Sequence, residues 1–162
     1  YENRGYLERA LIVHNAVVAE DDDAALDMIK SPDFDPSDTI VLHGGEPMAG
    51  GERLPGEGAT IENDDPNGIV IQARLESEGY LYYSGNYLPY WKAEVDGEEV
   101  PVQRCDISMR AVRLPAGEHR ITMKYDSPWF RLGTYICLGC CAAVGLIVAA
   151  GWRRARKRTR DG

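Results

Sequence analysis

Cysteine is nearly absent from the part of this chain that could use it. Of four cysteines, only Cys105 lies outside an apolar run near the C-terminal end; Cys137, Cys140 and Cys141 fall within that run. A disulfide scaffold is therefore excluded, and Cys105 reads as a small core residue. The C-x-x-C-C spacing makes a poor metal site, because thiolates in apolar surroundings are hard to ionise. Histidine is scarce too, with three in the chain. His14 has no second ligand near it in sequence, so it reads as a packed histidine and not as a metal ligand. There is no G-x-S-x-G, no H-E-x-x-H and no histidine beside a nucleophile motif. The glycine-rich residues 44–58 lack the Gly-Lys-Ser/Thr ending of a phosphate loop and read as a flexible surface loop. Asp64, Asp65 and Asp106 are carboxylates that no spacing brings together, whereas acid–base catalysis needs two with opposed pKa values in one cleft. No catalytic residue, metal site or cofactor is assigned, and this chain alone is expected to perform no chemistry.

Charge is also absent over residues 132–152. Some twenty uncharged residues at about 1.5 Å each span a hydrocarbon core about 30 Å thick. Only a helix crosses lipid there without leaving backbone groups unpaired. Trp129, Phe130 and Arg131 at its entry and Trp152, Arg153 and Arg154 at its exit are the residue types expected at a membrane interface. The last ten residues carry six basic side chains against Asp161. Basic residues beside a span stay on the cytoplasmic side, which predicts a plasma-membrane protein with residues 1–131 outside and the tail inside. Gly139 with Ala143, and Gly145 with Ala149, repeat a small-xxx-small spacing that suits neighbouring helices. An outside domain must be led across the membrane. With no basic–apolar leader after Tyr1, the expectation is the C-terminal piece of a longer membrane protein, with its upstream transmembrane helices as partners.

Net charge is −8, and the tail's +5 leaves −13 for residues 1–131. So acidic a portion repels phosphate backbones, which excludes nucleic acid as a partner, while the tail suits an anionic lipid bilayer. The hydrophobic patterning changes with position. Residues 9–19 are rich in β-branched side chains and read as a strand with a break at Asn15. Asp21, Asp22 and Asp23 open a short helix over residues 24–30, and residues 39–43 make a second strand. From residue 59 onward strands alternate with tight turns: 69–75, 79–84, 91–95, 100–104, 110–114 and 119–125, with Asp96-Gly97 as a hairpin turn. The predicted fold is mainly β: an antiparallel β-sandwich ectodomain with a short N-terminal α/β segment, followed by one transmembrane α-helix. Four parts are expected: 1–58, 59–128, 129–152 and 153–162. The short link over residues 126–131 predicts a sandwich close to the lipid surface.

Tyr80, Tyr82, Tyr83, Tyr87, Tyr90 and Trp91 form the densest aromatic cluster. Tyr80 and Tyr82 share a strand face by period two and suit a core. Tyr87, Tyr90 and Trp91 surround Pro89 in a loop and are the candidates for contact with a glycan or a lipid headgroup.

These residues resemble a known pattern. Tyr87-Leu88-Pro89-Tyr90-Trp91-Lys92-Ala93-Glu94-Val95-Asp96-Gly97, continuing to Val100-Pro101-Val102, is similar to a segment of YfhO-like bacterial membrane proteins. Arg110-Ala111-Val112, Leu114-Pro115-Ala116-Gly117-Glu118-His119 and Trp129-Phe130-Arg131-Leu132-Gly133 follow in the family's order. Upstream, Arg9-Ala10 with Val13, and Asp33-Phe34-Asp35-Pro36 before Val41-Leu42, also match. The chain departs from the pattern at Tyr90, where the family usually has Gly, at Met109, where it has Phe, and at Asp106, where it often has Asn. The resemblance implies a multi-spanning glycosyltransferase that uses a polyprenyl-phosphate sugar to decorate a cell-envelope polymer. It places the catalytic acid in an early external loop, to which nothing in this sequence corresponds. The alternative is a non-enzymatic single-span surface or adhesion module.

Overall fold

Alternation of apolar and polar residues in short runs favours strands that bury one face, and twelve of them form among the described residues. The computed structural model describes residues 7–158. In chain order the elements are β1 (Ala10–Val13), β2 (Asn15–Val18), α1 (Asp22–Ile29), β3 (Thr39–Leu42), β4 (Met48–Ala49), β5 (Gly58–Asp65), β6 (Gly68–Leu75) and β7 (Gly79–Tyr83). They continue with β8 (Trp91–Val95), β9 (Glu98–Val100), β10 (Gln103–Cys105), β11 (Met109–Leu114), β12 (Gly117–Tyr125) and α2 (Pro128–Arg158). The strands make a seven-stranded sheet, β1-β7-β11-β10-β3-β2-β4, and a five-stranded sheet, β5-β6-β12-β8-β9. Every pairing is antiparallel except β2 with β3, which are joined through α1. The fold is thus mainly β with two mainly antiparallel sheets and an apolar C-terminal helix, as the patterning predicts.

The expected strand over residues 9–19 is two strands, and the break falls at His14 instead of Asn15. β1 pairs with β7, whereas β2 pairs with β3 and β4, so one residue separates strands that join different parts of the sheet. All four residues of β1 are buried because both faces of its sheet are covered. Ala10 and Ile12 meet Leu81, Val112 and Leu114 against Ile71, Ile121 and Met123 of the other sheet, forming the main core. Leu11 and Val13 face a second core with Ile40, Leu42, Tyr80, Cys105 and Ala111. Each fully buried aliphatic side chain stabilises the fold by about 1.5–3 kcal/mol relative to exposure. Cys105 has the core role its sequence context predicts.

Asp21 caps α1, its carboxylate accepting from the Ala24 N–H at 2.8 Å, with Asp22 and Asp23 in the first turn. Ala25 fits under Val41 and Ala19. The span of residues 100–104 that reads as one strand is divided: β9 belongs to the five-stranded sheet and β10 to the seven-stranded sheet. Pro101 stands at the crossing, where a missing N–H interrupts no ladder. The strand after residue 58 also runs on, reaching Asp65 through a bulge between Ile61 and Asn63.

Among the described residues, those up to Asp126 form one compact unit and those from Ser127 onward another. In the second, Pro128 takes the first helical position, where its lack of an N–H costs nothing. α2 therefore starts before the predicted run at residue 132, and it continues past Trp152 into the basic residues. Within it, Pro128–Leu146 is long and apolar enough to cross a membrane. Its side chains are exposed, among them Trp129, Phe130, Ile136, Leu138 and Leu146. The Thr134 hydroxyl donates to the Phe130 carbonyl at 3.0 Å, which hides the polar group within the helix. Thr159, Arg160, Asp161 and Gly162 of the predicted tail lie outside the described residues, as do residues 1–6.

Candidate functional site

Five strands bring one row of rings and guanidinium groups together in the β unit. Arg110 on β11 is 4 % exposed, and its guanidinium carbon lies 3.8 Å from the ring centroid of Trp91 on β8 and 4.8 Å from that of Tyr83 on β7. Tyr125 on β12 packs on the same indole at 5.6 Å and meets Tyr90 edge-on at 6.3 Å. At the other end, the Tyr83 hydroxyl donates to Asp64 of β5 at 2.7 Å and accepts from Arg9 at 2.8 Å. Arg9 and Asp64 form an ion pair. Burial pushes the Tyr83 phenol up, and acceptance of its proton by Asp64 adds to that, so the hydroxyl stays a donor.

Gly85 makes the stacking possible. A Cβ at this position would collide with the Arg110 guanidinium and the Tyr83 ring. Arg110 Nε donates to the Gly85 carbonyl at 3.2 Å, while Nη1 is buried without a hydrogen-bond partner among the described residues. The loop that follows is tied at Tyr87 N–H to the Ser108 carbonyl (2.5 Å) and at the Tyr90 carbonyl by the Asp126 N–H (3.0 Å).

The structure therefore brings Tyr90 and Trp91 into one cluster, with Tyr87 in the adjoining loop, and all three are half-buried. Trp91 packs against the main core, with Arg110 and Tyr125 as its ring contacts. Sequence reasoning placed Tyr83 in the aromatic cluster but missed Arg110, Tyr125 and the Arg9–Asp64 pair around it, because their meeting depends on which strands are neighbours. Trp129 and Phe130 are 68 % and 78 % exposed at the start of α2, and Arg131 is exposed. Trp152, Arg153 and Arg154 lie on the same helix.

A second polar centre lies apart from this row. Nε2 of the buried His14 is 2.9 Å from Glu57 Oε2, and Nδ1 is 3.0 Å from the Glu78 carbonyl. Glu57 also accepts from the N–H groups of Leu54 (2.7 Å) and Glu76 (2.6 Å). The glycine-rich stretch is thus anchored, with β4 within it and a buried carboxylate at its end, in contrast to the loose loop its composition suggests. Asp106 accepts from the Val41 N–H at 2.8 Å, so it and Asp64 serve different neighbourhoods. Among the described residues, no group of three or more His, Cys, Asp or Glu side chains is arranged to hold a metal ion.

A β-rich unit joined to an apolar helix of membrane-crossing length defines the class, a membrane protein with a folded polar domain. A family model for the bacterial membrane protein YfhO matches residues 56–137, slightly more than half of the chain. The chain belongs to the YfhO family. Comparisons with curated proteins and with solved structures gave no match.

Proposed function

We propose that this chain is the extracytoplasmic domain and adjoining span of a glycosyltransferase-type membrane protein. In this reading it assists transfer of a sugar from a polyprenyl-phosphate carrier to a cell-envelope polymer. The β unit acts outside, the basic tail stays in the cytosol, and reacting groups belong to other parts of the protein, whose transmembrane helices pack beside α2. One observation carries the reading: the family match runs without interruption from the β unit into the apolar helix, and it contains Asp64, Tyr83, Tyr90, Trp91, Arg110 and Tyr125. Tyr87 and Tyr90 offer half-buried rings beside a rigid cationic stack, which suits contact with sugar rings. Trp129, Phe130 and Arg131, with Trp152, Arg153 and Arg154, hold the helix at its two interfaces.

Membranes containing the full protein, supplied with a radiolabelled polyprenyl-phosphate sugar, should pass label to isolated envelope polymer. Tyr87→Ala with Tyr90→Ala should reduce that transfer several-fold while the amount of protein in the membrane stays the same. No transfer by the unsubstituted protein would rule out the glycosyltransferase reading and leave the single-span surface module. Undiminished transfer by the variant would remove glycan contact from these tyrosines.

A further inference from the structure

Lys124 on β12 stands directly opposite Lys92 on β8, on the outer face of the five-stranded sheet. Like charges in that relation destabilise a strand pair. The arginines farther along this face are matched with acids: Arg74 with Glu76 and Glu118, and Arg120 with Glu62. Lys92 has Asp126 at 3.7 Å. Among the described residues, no carboxylate lies within ion-pair distance of Lys124. Its partner on the other side, on β6, is Gly68, where a Cβ would meet nothing within 4 Å. Lys92 and Lys124 line a recess of about 380 Å³ together with Asn67, Glu94, Thr122, Tyr125 and Asp126.

We propose that this recess binds a phosphate carried next to hydroxyl groups, as in a sugar phosphate or a polyol phosphate. The two ammonium groups take the phosphate oxygens, which turns an unfavourable cross-strand pair into a favourable one. Glu94 and Asp126 accept from the ligand's hydroxyls, and the Asn67 amide and Thr122 hydroxyl can donate or accept. A bare anion would be repelled by the two carboxylates, and an uncharged sugar would leave the lysine pair unrelieved, so the lining favours a ligand with both features. Only Tyr125 and Asp126 separate Lys124 from Ser127, where the helical unit begins. A lipid-borne phosphate and a soluble one share this chemistry. Binding stands on the geometry of the sheet; its use in sugar transfer alone rests on the function proposed above.

The test uses the full chain in amine-oxide detergent, free of phosphate and sugar, with lysines ¹³C-methylated and followed by NMR. Glucose 1-phosphate should move the Lys92 and Lys124 signals at lower concentration than inorganic phosphate or glucose does. Lys124→Gln should weaken that binding about threefold or more while the other lysine signals stay in place. In a second arm, phosphatidylglycerol replaces the soluble probe. Movement of the same signals only there assigns the ligand to a lipid, and movement with glucose 1-phosphate shows that a soluble sugar phosphate suffices. No movement with either probe, or equal affinity in Lys124→Gln, overturns the site. Inorganic phosphate binding as tightly as glucose 1-phosphate overturns the role of the hydroxyls. None of these results depends on whether sugar transfer is detected.

Discussion

Glu57 is buried although it stands between a turn residue, Gly56, and the first residue of β5, Gly58. Burial by itself would push its carboxyl up. The N–H groups of Glu76 and Leu54, with His14, outweigh that and hold it below the ordinary carboxylate value. A depressed folded value means that this group stabilises the fold above its unfolded value and ceases to do so as pH falls through the folded one. Thermal melts should therefore show stability declining below about pH 4, with this site as one contributor. Glu57→Gln should cost about 3 kcal/mol at neutral pH, because it leaves His14 and one backbone donor poorly matched, and the difference should narrow in acid. Asp106 has the opposite sign. Burial raises its carboxyl despite the Val41 N–H, so its ionisation opposes folding as pH rises through the raised value. Asp106→Asn keeps an oxygen for the Val41 N–H and, like Asp, tolerates the positive φ of 42° at this position. It should raise the thermal midpoint at neutral pH, with the gain disappearing at acid pH. An unchanged midpoint at both pH values would falsify that account.

Elements were legible where a local chemical cause set them. Asp21 followed by acids and then alanines gives the cap and first turn of α1. Asp96-Gly97 gives the β8–β9 hairpin, with φ of 54° and 92° at the two turn residues. The alternation in residues 69–75 names the buried set Ile69, Ile71, Ala73 and Leu75 correctly. The break within residues 9–19 was legible to within one residue, but not that its two halves take different partners, and the division at Pro101 was not legible, since each depends on strands distant in sequence. Gly85 belongs with these. Nothing in Ser84-Gly85-Asn86 indicates that a guanidinium and a ring occupy the space a side chain would need. Gly85→Ala should cost about 2 kcal/mol by forcing Arg110 off its stack, measured by chemical denaturation. A loss below about 0.5 kcal/mol would mean that the loop moves aside freely.

At the scale of the whole molecule, two units share one chain, and their composition differs sharply. A bilayer would account for that difference, acids on one side and arginines on the other. Single-cysteine labelling with a membrane-impermeant maleimide checks the sidedness proposed above. Glu99→Cys, exposed on β9, should react in intact cells, and Ala155→Cys should react only after permeabilisation. The reverse pattern would invert the topology and remove the β unit from the envelope.

The uncharged run, the acidic and basic ends and the alternating strands were determined by sequence alone, because each arises between residues a few positions apart. Membrane class and β content followed from them. The tertiary structure decided what touches what: which strands border one another, that Arg110 lies between Trp91 and Tyr83, that Glu57 reaches His14, and that Lys124 faces Lys92 beside Gly68. Strand order is chosen by the burial of two sheet faces at once, a condition on the whole chain that no short stretch of it contains.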